Sequence, residues 1–277
     1  MTDYAEFARL EREGWGDADI AGSYGARFAA ATAQAAPSLA AAVTAAPGRA
    51  VLDLCCGPGP VSAVLVEQGA RVTGLDFSAA MLAQARTRVP GATFVEGDAQ
   101  AMPFADASFD AATCGFGLMH IPDQDRALAE LRRVLRPGAP FAFTVWAPAG
   151  ASPGFEVIAG ALAKGDPSVA LPPAPDFHRF ADPATAEALL TAAGFHDVSL
   201  TPLDVRMPLA RPGEFFEIMR EGAVRIGMLI EAQPPAARPA VEAAFETGVR
   251  DWALANGVDP SAPFALPLPA VMVLARA

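Results

Sequence analysis

Lysine is almost missing from this chain. Lys164 is the only one, and 20 basic residues in all face 31 acidic ones, for a net charge of −11. No run of Lys or Arg offers the basic face that would replace counterions on a nucleic acid, so RNA and DNA are excluded as partners. Cysteine is scarce as well: Cys55, Cys56 and Cys114. Two of them are adjacent, which is not the spacing of zinc ligands, and all three read as small buried hydrophobes in a reducing compartment. The three histidines, His120, His178 and His196, are dispersed, so no metal is expected. No apolar stretch reaches transmembrane length. The amino terminus, M-T-D-Y-A-E-F-A-R-L-E-R-E, is charged and lacks the apolar segment of a signal peptide. Together these absences predict a cytoplasmic protein that takes a small-molecule substrate and binds neither nucleic acid nor membrane. A homodimer stays open as its assembly.

Against those absences stands a 52% hydrophobic content over 277 residues, enough for one large core. Val51 to Gly59 reads V-L-D-L-C-C-G-P-G, a buried parallel strand with one carboxylate, Asp53, ending in the turn Gly57-Pro58-Gly59. An apolar run from Val61 to Val66 then restarts the chain as a helix. Such a strand–glycine turn–helix unit is where open α/β sheets bind nucleotides. The dinucleotide fingerprint puts Ser62 where its third glycine belongs, a weak match. Arg71–Asp76 is a second short strand ending in an acid, placed to accept both hydroxyls of a ribose. Phe77 follows with an apolar face for a purine. Phe94–Asp98 ends a third strand in another acid, suited to accept from an exocyclic amine.

The alternation continues. Strands are expected near 50–55, 71–75, 92–95, 109–114 and 139–146, with helices near 60–68, 78–88 and 124–135, giving a doubly wound parallel sheet. Ser78 is an N-cap for the second helix, and Asp182-Pro183 opens a later one. Residues 1–22 read as a polar stretch carrying Trp15, and 23–45 as one alanine-rich helix with Tyr24 and Phe28. A sixth strand is expected near 197–205, helix over 212–256 in two pieces broken by Pro234-Pro235, and a last strand near 268–275.

V-L-D-L-C-C-G-P-G, G-L-D-F-S-A-A-M-L, V-E-G-D-A, the F-D-A-A-T strand and L-R-P-G together resemble the class I S-adenosylmethionine-dependent methyltransferases, and most of all the small-molecule subgroup similar to the ubiquinone and menaquinone enzymes. The resemblance covers roughly residues 48–146. It implies a Rossmann-like seven-stranded sheet with an antiparallel last strand between the fifth and sixth. It divides the chain into an N-terminal helical lid (1–47), a cofactor-binding core (48–205), a helical cap insertion (206–263) and a final strand (264–277). S-adenosylmethionine is the implied cofactor. Asp53, Gly57 and Gly59 would order the turn near its methionine portion, and the carbonyls from Cys114 to Phe116 would face its ammonium. Asp76 would hold the ribose, Phe77 and Met81 would flank the adenine, and Asp98 with Ala99 would meet its edge.

His120, just past the fourth strand, is the candidate base. His178 reads as a surface residue of a cap loop. Asp106 and Asp110 are weaker candidates, Asp110 structural. Half of the cap's apolar set (Phe215, Phe216, Ile218, Met219, Ile226, Met228, Leu229, Ile230) is expected to pack on the core and half to line a pocket. The expected activity is methyl transfer to a small apolar or aromatic metabolite at O, N or C. The alternatives are a non-methylating enzyme on the same fold or a catalytically silent cofactor-binding partner. A nicotinamide-dependent dehydrogenase is a further reading, disfavoured by Ser62 and Asp98.

Overall fold

The computed structural model describes residues 4–277. Residues 1–3 of the expected lid lie outside the described residues. One sheet organises the rest. Its strands are β1 (Ala50–Leu54), β2 (Arg71–Asp76), β3 (Thr93–Glu96), β4 (Ala111–Gly115), β5 (Pro140–Trp146), β6 (His196–Leu203) and, after a two-stranded excursion by β7 (Arg206–Leu209) and β8 (Phe264–Pro267), β9 (Ala270–Arg276). The spatial order is β3-β2-β1-β4-β5-β9-β6, with β9 antiparallel to both β5 and β6. The expected position and direction of the last strand are therefore met. All seven residues of β5 are buried, as the near-continuous apolar run of a doubly covered strand requires. Strand order reverses beside β1, and the crevice beyond the carboxyl ends of β1 and β4 is the binding position of such sheets.

From Ala5 onward the amino-terminal segment is helical: α1 (Ala5–Gly16), α2 (Ala18–Ser23), a π-helical turn at Tyr24–Phe28, α3 (Ala29–Thr32) and α4 (Ala36–Ala42). The polar stretch over 1–22, part of the expected helical lid, carries two helices among its described residues. Their outward side is charged, with Arg9 bonded to Glu6 and Glu13, while Phe7, Glu11 and Gly14 point inward. An inner face made of one aromatic, one acid and one glycine gives almost no apolar periodicity to read.

The core helices are α5 (Pro60–Glu67), α6 (Ala79–Arg88), α7 (Gln124–Val134), α8 (Pro153–Leu162) and α9 (Pro183–Ala192). Ser78 caps α6 by accepting from the Met81 amide, and Asp182 caps α9 through the Thr185 amide. The insertion folds as three helices rather than two: α10 (Glu214–Gly222), α11 (Val224–Glu231) and α12 (Arg238–Ala255). The additional break is at Ala223, which leaves the helical region at φ −121°, ψ 104°. The antiparallel β7–β8 pair closes the base of this insertion, so the segment expected to be the final strand is two strands, β8 and β9. No helix among the described residues is long and apolar enough to cross a membrane.

Candidate functional site

A cavity of about 410 Å³ opens where β1, β2 and β4 end, and α1, α10 and α11 cover it. Two segments distant in sequence meet above it because Gly14 lets them. A Cβ there would lie 2.4 Å from Val224 Cγ1, so only glycine allows α1 to approach the start of α11 this closely.

One side of the cavity is polar and built from the sheet. Gly57 adopts φ +52°, and a Cβ on it would meet no described protein atom within 4 Å, leaving a cradle open to a ligand. Its amide donates to Asp76 Oδ2 at 2.9 Å, and the Ser78 amide donates to Oδ1 at 2.9 Å. Burial pushes the Asp76 carboxyl above its ordinary range, while these amides and that of Phe77 pull it back. Phe77, Met81, Asp98 and Ala99 line the same side. Asp98 accepts from the Gln100 amide (2.8 Å) and side chain (2.9 Å), with Arg12 Nη2 at 3.5 Å. Burial raises its pKa, but Gln100 and Arg12 outweigh that, and Asp98 stays below the ordinary carboxylate value. Arg12 also lies over the Phe77 ring, 5.5 Å from its centroid.

Asp53, Gly59 and Cys114 do not line this main cavity. Asp53 is 1% exposed and accepts from Ser62 Oγ at 2.6 Å and Thr113 Oγ1 at 3.0 Å. It ties β1, β4 and the start of α5 together behind the glycine turn, reaching only a small adjoining recess with Gly57 and Gly115. Ser62, at the absent third glycine, thus has a definite task. Burial pushes the Asp53 carboxyl up to about 6 against these two bonds. Gly59 has φ +82°, and a Cβ on it would press Ala85 and Val89 at 3.3 Å, so it shapes the turn. Cys114 is fully buried, and its hydrogen bonding with Cys55, together with burial, pushes the Cys55 thiol up; both cysteines are free. Gly115 and Phe116, next in line, do reach the cavity.

The opposite side is apolar, lined among others by Phe7, Phe28, Trp146, Phe155, Ile158 and Phe177. Of the cap residues, Met219, Ile226 and Leu229 line it, while Phe215 and Phe216 pack on Phe245. His178 stays in the layer behind, with Nδ1 3.2 Å from the Trp146 carbonyl. Asp110 accepts from the Ala50 amide and pairs with Arg136, and Asp106 pairs with Arg133; neither lines the cavity.

His120 stands between the two sides. Its Nδ1 is 2.8 Å from Glu11 Oε2, which also accepts from Trp15 Nε1 at 2.9 Å. Trp15 and Phe177 meet the imidazole edge-to-face, at 5.4 and 5.6 Å. With Glu11 as carboxylate, Nδ1 donates and Nε2 keeps its lone pair for the cavity. Sequence reasoning missed Glu11, Arg12 and Arg225, which all line the cavity. The Phe7–Glu11–Trp15 spacing of four, which stacks them on one helix face, was the available signal for Glu11.

Residues 52–143 match the family model described as a methyltransferase domain. A demethylmenaquinone methyltransferase of Beutenbergia cavernae is 45% identical over 119 residues, 41% of this chain and 50% of that protein. The matched segment spans between 40% and 50% of the length of such curated relatives. Among solved structures, the YcgJ protein of Bacillus subtilis aligns over 87% of this chain and 97% of its own at 19% identity, with a TM-score of 0.53. The [4+2]-cyclase SpnF aligns over 88% and 80% at 22% identity, with a TM-score of 0.50.

Proposed function

We propose that this chain, built on a class I S-adenosylmethionine-dependent methyltransferase core, carries out methyl transfer to a small, largely apolar, oxygenated aromatic of the reduced-quinone type. One observation carries the reading: a histidine with a carboxylate behind it lines a single cavity whose one side is polar and whose other side is apolar. The methyltransferase-domain match and the quinone-methylating names of the relatives support it.

The polar side fits the cofactor. The Gly57 cradle would take the methionine portion, Asp76 the ribose hydroxyls, Phe77 and Met81 the adenine faces, and Asp98 with the Ala99 amide its edge. S-adenosylmethionine would supply an electrophilic methyl on a cationic sulfur. The remaining tasks belong to side chains. The apolar wall desolvates and aligns the acceptor, and alignment is the main requirement of a displacement at carbon. His120 Nε2 takes the proton of the acceptor hydroxyl, leaving the electron pair on that oxygen. Glu11 is a positioning residue that fixes the imidazole tautomer and stabilises the imidazolium that forms. Because Glu11 comes from α1, the base is complete only with the amino-terminal helices in place, and residues 4–30, with 212–256 beside them, would act as a lid.

A silent binding partner has no use for this His–Glu pair. A non-methylating reaction would use the same cavity without transferring carbon. Incubating the protein with S-adenosylmethionine and a reduced demethylated naphthoquinone distinguishes the readings by mass spectrometry. A product heavier by one methyl supports the proposal. Cofactor binding with the naphthoquinol recovered unchanged would remove the quinone-type acceptor.

A further inference from the structure

Two charged residues on the cavity wall, buried Glu11 and half-buried Arg225, each hold a buried atom with no hydrogen-bond partner. Glu11 is 2% exposed, and although its Oε2 is doubly bonded, its Oε1 has no hydrogen-bond partner. Arg225, in the first turn of α11, has a buried Nη1 with no partner, while Nη2 donates to the Pro172 carbonyl at 3.4 Å. Its guanidinium carbon lies 5.2 Å from the centroid of the Phe7 ring. Both residues line the main cavity, as do the apolar Phe7, Val224 and Ile226. Burial lowers the Arg225 pKa, and the Glu11 charge opposes that. Arginine remains charged even so.

Buried polar atoms are nearly always paired, and each unpaired one asks for a reason. A donor and an acceptor left open in the same apolar cavity have a common one: a ligand that brings the complementary groups. Arginine is suited to an oxygen anion, and its attraction strengthens in surroundings poor in water.

We infer that Arg225 is a specificity-determining residue that anchors an oxygen anion of the acceptor, while Glu11 Oε1 accepts from a hydroxyl on the same molecule. The inference rests on the reading that the apolar part of the cavity holds the acceptor. It narrows the substrate class to aromatics that carry a hydroxyl together with an anionic or enolic oxygen. A plain hydrocarbon ring or an amine would leave Arg225 unpaired and is selected against.

The test is a binding comparison between two probes with the same rings and the same hydroxyl. One is 1-hydroxy-2-naphthoate, an anion near neutral pH; the other is its neutral counterpart, 2-acetyl-1-naphthol. Calorimetric titration into the full chain saturated with S-adenosylhomocysteine should show the anion bound about tenfold tighter or more, the size of one charge-assisted bond. Arg225→Met should erase the preference while leaving the neutral probe's affinity within about threefold. Arg225→Lys, which keeps the charge and most of the stem, should retain part of it and so separates loss of charge from damage to the fold. Wild-type protein without a preference, including no binding of either probe, would overturn the inference, as would a preference that survives in Arg225→Met. The readout is affinity, so a failure to methylate naphthoquinols would leave this result standing, and the reverse holds too.

Discussion

The two sides of the cavity handle charge in opposite ways. On the sheet side, Asp76 and Asp98 each accept from nearby amides, those of Gly57 and Ser78 for one and that of Gln100 for the other. These donors come from residues within a turn or from the adjoining strand tip, so this side is assembled whenever the sheet is. On the helical side, Glu11 and Arg225 each hold an open polar atom, and they come from α1 and α11, 214 positions apart in the chain. This half exists only when the two elements close on each other at Gly14. A side preformed with the sheet faces a side that depends on docking. The difference suits a reaction in which one ligand is constant and the other must be enclosed before the chemistry.

The largest expected effect lies where the sides join. His120→Ala should lower turnover by roughly 10²–10⁴-fold with cofactor affinity nearly intact, the range for a lost general base. Glu11→Gln should lower turnover less while leaving His120 in place. Full turnover on the true acceptor in His120→Ala would reduce His120 to packing, and the join would carry no chemistry.

Stability should respond on the sheet side alone. The Asp53 carboxyl, held near 6 against an ordinary 3.8, binds its proton more tightly in the folded than in the unfolded chain. Its contribution is therefore complete below the ordinary value and is lost as pH rises through about 6. Asp53→Asn does not titrate. The unfolding free energy of the wild type relative to Asp53→Asn should fall between pH 4 and pH 7 by about 3 kcal/mol at most, some two pKa units at ~1.36 kcal/mol each. A difference flat with pH in denaturant titrations would mean Asp53 ionises like an exposed carboxyl. The smallest effect is on dynamics. Amide exchange in residues 4–30 and 212–256 should slow when cofactor and acceptor are both added, with the sheet unchanged. Equal protection with and without ligands would leave the helical side as preformed as the other.

The same contrast governs what could be read in the sequence. The Gly57–Gly59 turn, the strand-tip acids and the Ser78 and Asp182 caps depend on neighbours a few residues away, so local pattern reveals them. Asp53 was placed correctly in its strand and at the glycine turn; its burial behind Ser62 and Thr113 is a matter of packing that spacing does not show. Glu11 and Arg225 were missed because an acid and an arginine on helices read as solvent-facing, and nothing local tells that two such helices will meet. His120 stood out by position, yet its carboxylate partner 109 residues upstream did not. The strand-tip positions on the sheet and the cap's division into core-packing and cavity-lining residues were legible; the polar contacts of the helical half were not.

The account rests on a sheet side that holds S-adenosylmethionine by itself. Calorimetric titration of the cofactor into wild type and Asp76→Ala, with no acceptor present, tests this directly. The ribose acceptor's removal should weaken binding by about 1.5–3 kcal/mol, roughly 10- to 150-fold. Unchanged affinity in Asp76→Ala would contradict it.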